Sequence, residues 1–196
     1  DELEGSDGTG LDQTVVVLLS DHGEGFAEHG SILHGNTVYP EMCRVPLLMR
    51  LPQGEARSVD SLVGTRDLAA TLAELFDIAW AADSPGSKGT SFLARALGKA
   101  GSVPPVLSRS VGDHPLWALR TEDFTLIKHK ASGGFELYER GADSGERLNL
   151  APTRAEQTAE LNSELIQELE LARQAGLSYP TAAVPRLIHK DALEDL

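Results

Sequence analysis

A single cysteine, Cys43, among 196 residues leaves no intrachain disulfide to form. That suits a reducing compartment without excluding export. No apolar run approaches the roughly 18 residues that a membrane span needs, and no secretory leader is visible. The chain starts at Asp1 rather than Met, so its N-terminus reads as processed or truncated. The missing leader therefore leaves the location of the parent protein open. Basic residues are scarce: 17 Lys and Arg against 30 Asp and Glu give a net charge of −13. This excludes the basic footprint of a nucleic-acid binder and a polybasic lipid-binding patch. What remains is an ordinary globular composition, 41% apolar and 24% charged, long enough for one domain with a real core or for half of a larger one.

The chain divides by pattern into four stretches. Residues 1–13 are polar and Gly-rich and read as a flexible lead-in. Residues 14–110 read as part of an α/β core. The run TVVVLL (14–19) has no polar alternation, which suits a strand buried on both faces, as in a parallel sheet covered by helices. A Gly- and His-rich loop over 20–36 precedes a second strand at 45–51, VPLLMRL. Leu68, Leu72, Leu75 and Phe76 have helical spacing, with Asp67 as the expected cap and an end near Ala79. A loop over 81–89, a helical patch over 91–97 and a strand within 103–110 complete this part. Residues 111–175 change character. PLWALRT (115–121), FTLIKHK (124–130) and FELYER (135–140) read as an antiparallel meander. A long helix over 154–175 follows, with Leu161, Leu165, Leu169 and Ala172 on one face. Residues 176–196 have no period and read as a surface-wrapping or disordered tail. There are no internal repeats.

Three of the six histidines, His22, His29 and His34, fall directly after the first strand. Ligands in open α/β sheets bind outside the carboxyl ends of strands, and Gly23 permits a sharp turn at that point. A carboxylate and an imidazole at such a turn, Asp21 and His22, can both aim at one divalent ion without naming it. His34, thirteen residues after Asp21, is then a third ligand or a donor to whatever the metal holds. Taken alone, an Asp-His pair after a strand reads first as a capped turn.

The wider pattern runs Ser20-Asp21-His22-Gly23-Glu24, Glu28-His29-Gly30, His34-Gly35, Tyr39-x-Glu41 and Arg44-Val45-Pro46. It resembles the sulfatases of the alkaline phosphatase superfamily. SLVGTRDLAATLAELFDIA (61–79), GTSFLARALG (89–98) and FELYERGADSGERLNLA (135–151) continue it in order, with Ala70 and Ser144 where that family usually has proline. The similarity covers roughly 14–173 and implies part of an alkaline-phosphatase-like sheet flanked by helices, with a small C-terminal antiparallel sheet and a long helix.

It also implies roles. Asp21 and His22 match the two metal ligands that the C-terminal part of the catalytic domain contributes. His34 matches an active-site Lys or His that hydrogen-bonds a sulfate oxygen and helps the leaving oxygen depart. Glu24 and His29 are expected as support for the ligands or the loop. The implied activity is metal-dependent hydrolysis of a sulfate monoester, on a small molecule or a glycan. The nucleophile would be a formylglycine in an N-terminal half outside this chain, since Cys43 in Met-Cys-Arg-Val-Pro is not in the nucleophile motif and reads as a small buried residue. The missing half is thus the expected partner, and the fragment alone is expected to be inactive. The implied metal is calcium. Imidazole suits manganese or zinc better, so these stay open. Two alternatives also stay open: a phosphonate or phosphodiester hydrolase or phosphoethanolamine transferase of the same superfamily, and a non-catalytic accessory module. Oligomeric state and localisation are not legible.

Among the remaining residues, Glu41 and Arg44 are expected to fix the loop, and His114 to be a structural residue or to line a substrate pocket. Lys128 and His129 read as structural and Trp117 as core. Tyr138 is expected between the small sheet and the final helix, and His189 to be solvated.

Overall fold

A computed structural model of the chain describes residues 13–52, 54–79 and 89–174. The lead-in before residue 13, most of the 81–89 loop and the tail with His189 lie outside the described residues.

The best-packed part is the meander. Strands β5 (Val106–Arg109), β6 (Leu116–Arg120), β7 (Phe124–His129) and β8 (Phe135–Glu139) form one antiparallel sheet in that order; the last three pair as expected, whereas β5, expected in the α/β core, joins them at the edge. The register aligns Leu119 with Leu126 and Leu126 with Leu137 across three strands. These leucines share one face. Leu161 and Leu165 of the long helix α4 (Ala155–Gln174) close over them, with Leu169 at the margin. Lys128 reaches the same helix, its Nζ donating to Asn162 Oδ1 at 3.0 Å.

The opposite face is also covered. Ala118, Ile127 and Tyr138 pack against Val38, with Tyr39 and Cys43 at the edge. Tyr138 therefore does not lie between sheet and helix as expected. Leu137 takes the helix side, so its neighbour points the other way. Trp117 sits at the edge of the helix-side cluster, partly buried rather than central.

The N-terminal part departs further from expectation. Strand β1 (Val16–Leu19) is present, but its partner is β4 (Leu47–Arg50), antiparallel, with Leu18 opposite Leu48. The predicted burial on both faces is absent: Leu18 is 60% and Leu48 58% exposed. An unbroken apolar run signals cover on both faces, and no described element supplies it. Between these strands lie a small ribbon, β2 (Gly25–Phe26) with β3 (Ile32–Leu33), and a short helix α1 (Pro40–Cys43), neither anticipated in the loop.

Helix α2 (Asp67–Leu75) forms, but not with the expected buried face. Ala70, Thr71 and Ala73 are buried and Phe76 is exposed. Small residues let the 89–96 segment and α3 (Leu93–Ala96) approach closely, and Phe92 N–H donates to Thr71 Oγ1 at 3.1 Å. Asp67 is not the cap. It lies in the first turn, where its carboxylate accepts from Gly64 N–H at 2.8 Å and Thr90 N–H at 3.0 Å and clamps two loops together.

Candidate functional site

The chain leaves β1 through a turn built from its own side chains. Ser20 Oγ donates to the His22 carbonyl at 2.7 Å, and the His22 N–H donates to Asp21 Oδ1 at 3.0 Å. Such local bonds are what short polar residues contribute at turns. Gly23 then passes directly under α1. Its N–H donates to the Met42 carbonyl at 2.8 Å, and a Cβ there would lie 1.9 Å from the Glu41 carbonyl oxygen. Glycine is needed here for close approach.

This turn and the β3 end bring Asp21, His22, Glu24 and His34 together. The His22 and His34 rings stack with centroids 4.4 Å apart and planes 22° from parallel. His34 Nδ1 is 3.2 Å from Glu24 Oε2. His22 Nδ1 lies 2.7 Å from the Gly23 carbonyl. A carbonyl only accepts, so Nδ1 carries the proton and Nε2 is left as the free ring nitrogen. That nitrogen is 3.9 Å from Asp21 Oδ1. The Gly23 carbonyl raises the His22 pKa above its ordinary value; desolvation opposes it, and the Asp21 and Glu24 charges add smaller upward effects.

The donor set fits one side of a metal centre. Asp21 Oδ1 and His22 Nε2 are within common reach of a single ion bonded at about 2.0–2.6 Å, and the Gly23 carbonyl fixes the ring tautomer as outer partners of metal-bound histidines do. Glu24 Oε1 is buried with no hydrogen-bond partner, an oxygen still able to take a cationic or protonated neighbour. Among the described residues no group of three or more His, Cys, Asp or Glu is arranged to hold an ion, so further ligands would have to come from elsewhere.

His29 is not part of this cluster. Its Nδ1 lies 2.9 Å from Glu41 Oε1, its Nε2 3.0 Å from the Glu146 carbonyl, and its ring stacks on Tyr39 at 3.9 Å. Both ring nitrogens are occupied, so neither is free to ligate. Glu41 fixes the loop through His29. Its carbonyl also forms the wall against Gly23, so the support reaches the Asp21-His22 turn.

Behind Tyr39 lies a polar hub in which sequence reasoning assigned no role to Glu136. Glu136 Oε2 accepts from Tyr39 Oη at 2.8 Å and Tyr138 Oη at 2.7 Å, and Oε1 lies 2.6 Å from His129 Nε2. Burial works to raise the Glu136 pKa, but the hydrogen bonds from Tyr138, Tyr39 and His129 outweigh it and hold the carboxyl below its ordinary value. Burial and the same carboxylate push both tyrosines up. Glu146 is also buried, with Oε1 3.6 Å from Arg120, whose guanidinium donates to the Val38 carbonyl. Desolvation raises the Glu146 pKa although Arg120 opposes it. The only signals in the sequence were the motif fragments Tyr39-x-Glu41 and Glu136-Leu137-Tyr138.

The sulfatase family model matches residues 8–78. The uncharacterized sulfatase YidJ of Escherichia coli is 30% identical over 183 residues, covering 89% of this chain and 36% of that protein. The solved structure of a 2-O GAG sulfatase superposes with a TM-score of 0.68 at 27% identity, covering 83% of this chain and 36% of the other. Over most of its length the chain is similar to sulfatases. The phosphonate monoester hydrolase of Agrobacterium radiobacter shares the fold alone, at 20% identity and a TM-score of 0.64 over 84% of this chain and 36% of that one. The chain spans about a third of the length of the relatives it matches. Within it, no described helix is long and apolar enough to cross a membrane.

Proposed function

We propose that the parent protein of this segment hydrolyses a sulfate monoester, and that this chain contributes one side of the metal site and a sulfate-contacting histidine. The observation that carries the reading is the convergence of Asp21 and His22 at the end of β1, with Nε2 free and His34 stacked alongside. Sulfatases generally use a metal and a formylglycine, and here Asp21 and His22 would hold the ion. When bound, the ion supplies Lewis-acid polarisation and orientation of the reacting oxygens. The ion proposed is calcium, by family resemblance, with manganese or zinc as the outcome that the imidazole ligand would favour.

His34 stands where it can donate to a sulfate oxygen. Negative charge grows on the departing ester oxygen as the S–O bond breaks, and a positioned donor stabilises that charge or delivers a proton to it. Glu24 is in contact with His34 Nδ1, which leaves Nε2 as the ring nitrogen to meet the substrate. His29 acts through the loop and touches no reacting atom. The formylglycine nucleophile and remaining ligands are assigned to the part of the parent outside this chain. Exposure of Leu18 and Leu48 supports packing of that part on the β1–β4 ribbon. The substrate class proposed is a sulfated saccharide, by analogy with the 2-O GAG sulfatase whose fold the chain shares.

The test is calorimetric titration of divalent ions into the full-length parent and its Asp21→Ala/His22→Ala variant, with turnover of p-nitrophenyl sulfate and a p-nitrophenyl phosphonate by the same two proteins. Binding and sulfate hydrolysis, both lost in the variant, support the reading. Preference for the phosphonate keeps the fold and overturns the substrate class. No metal binding by either protein leaves a non-catalytic module.

A further inference from the structure

Strands β2 and β3 pair over two residues each, a ribbon too short to hold its own shape. Its side chains do not anchor it, since Phe26, Ile32 and Leu33 are all exposed. Yet the ribbon carries Glu24 immediately before β2 and His34 immediately after β3, and these two meet at 3.2 Å. The place of His34 therefore depends on what fixes the ribbon from outside.

Loops leaving the four-stranded sheet supply that hold. At the ribbon's tip, residues 27–31 close a tight turn, the Ala27 N–H donating to the Ser31 carbonyl at 3.0 Å and the Gly30 N–H to the Ala27 carbonyl at 3.1 Å. The Glu28 carbonyl of this turn accepts from Arg147 Nη1 at 2.6 Å, a bond strengthened by the guanidinium charge. The next residue, His29, donates from Nε2 to the Glu146 carbonyl at 3.0 Å. At the exit, the Gly35 carbonyl accepts from the N–H of Val111, in the loop after β5, at 2.7 Å. The loop that holds the tip, between β8 and α4, is firmly built. The Asp143 carboxylate closes it, accepting from the Arg147 N–H at 2.9 Å and the Leu148 N–H at 2.8 Å. Asn149 Oδ1 ties it to β8, accepting at 3.0 Å from the N–H of Leu137, whose side chain is fully buried. Glu146 adopts the left-handed φ of +51, and its buried carboxylate lies 3.6 Å from Arg120.

Arg147 lies at the surface, so its side chain adds a hold on the tip rather than core packing. Resting on the sulfatase reading above, we propose that Arg147 is a positioning residue for His34. By pinning the ribbon tip to the sheet, it sets where His34 stands against the departing ester oxygen, and it touches no reacting atom itself. The Asp21-His22 turn is held separately, by the Gly23 N–H on the Met42 carbonyl. Loss of the Arg147 side chain should therefore move the proton donor and leave the metal ligands in place.

The experiment uses the full-length parent and its Arg147→Ala, Arg147→Lys, His34→Ala and Arg147→Ala/His34→Ala variants. It measures kcat and KM for p-nitrophenyl sulfate and phenyl sulfate, calcium and manganese affinity by calorimetry, and amide hydrogen exchange. In Arg147→Ala, kcat should fall about tenfold, a fraction of the roughly 10²–10⁴-fold that a positioned proton donor supplies. Ion affinity and thermal midpoint should not change, because the side chain is exposed and far from the core. The loss should be larger for phenyl sulfate, whose oxygen departs less readily and relies more on the donor. Arg147→Lys should recover part of the rate, since an ammonium can also donate to the Glu28 carbonyl. Without His34, Arg147→Ala should cost nothing further, as expected of a residue that acts through another. Exchange should quicken at the 25–34 amides and stay unchanged across β6–β8. An equal loss in the absence of His34, or ribbon exchange that Arg147→Ala leaves as it was, would overturn the proposal. Failure of the sulfatase reading is visible separately: the unmodified parent then turns over neither ester, while the exchange comparison still reports whether Arg147 holds the ribbon.

Discussion

At the residue scale, Gly23 is the position with least freedom. The atoms that a methyl group would meet are the Glu41 carbonyl, at 1.9 Å from the Cβ position, and the Met42 backbone at 3.3 Å. Backbone cannot rotate aside, so the β1 turn or α1 must move. Gly23→Ala is expected to cost about 2–3 kcal/mol of stability by urea unfolding and to weaken divalent-ion binding by calorimetry, because Asp21 and His22 are held by the same turn. Gly141→Ala, with nothing within 4 Å of its Cβ position, is the control and should be near neutral. Glu136 makes a different prediction. Three hydrogen bonds to its carboxylate stabilise the charged form, and its folded pKa lies below the ordinary value of 4.5. That contribution is complete above the unfolded pKa and is lost as pH falls through the folded one. Glu136→Gln should lose about 2 kcal/mol near neutrality and show a shallower fall in stability below pH about 4.5, measured as denaturant midpoints against pH. Asp21, His22 and His34 were readable because the chain places them together after an apolar strand. Glu136 was not: its partner Tyr39 is 97 residues away, and only the folded register makes them neighbours.

Elements were legible where their apolar pattern closes on itself. The meander and α4 form as expected because Leu119, Leu126 and Leu137 alternate correctly and meet Leu161 and Leu165 within the same chain. Leu165 is fully buried there. Leu165→Ala should cost about 2–5 kcal/mol, read as a lower denaturant midpoint with an unchanged slope. A loss under 1 kcal/mol would mean that α4 is loosely docked. Helix α2 shows how spacing misleads. Its leucines have helical periodicity, yet the face with Ala70, Thr71 and Ala73 is the one that packs. Periodicity locates an apolar stripe, while close approach selects small side chains, and the two coincide only when the partner is distant enough to need bulk. Asp67 was misjudged for a similar reason. An aspartate at a helix start reads as a cap, but the Gly64 and Thr90 N–H groups that claim its carboxylate are fixed by loop geometry. The Tyr138 error is one of parity, since one step along β8 exchanges the helix side of the sheet for the Val38 side.

At the scale of the whole molecule, the β1–β4 ribbon is where sequence and structure disagree most usefully. The valine- and leucine-rich run predicted cover on both faces, and the ribbon instead presents Val16, Leu18 and Leu48 to solvent at 41%, 60% and 58% exposure. Val16 and Leu18 point to one face, as alternate residues of a strand do, and Leu48 stands opposite Leu18 on that face. Such a run signals a strand that needs cover, and no described element supplies it; the chain spans about a third of its relatives' length. An uncovered apolar ribbon is an association surface. The chain on its own should therefore self-associate as its concentration rises, despite the repulsion implied by a net charge of −13. Sedimentation velocity over a concentration series should show a rising weight-average coefficient, more so at high salt, where charge repulsion is screened. A Leu18→Lys/Leu48→Glu pair places opposite charges at one cross-strand position, which keeps the ribbon paired while removing its apolar face. That variant should remain monomeric with unchanged far-UV circular dichroism. Its failure to associate with the remainder of the parent, where the unmodified chain succeeds, would identify this ribbon as the joint between the two parts. A monomeric unmodified chain at every concentration, or a variant that still joins the remainder, would place the joint elsewhere.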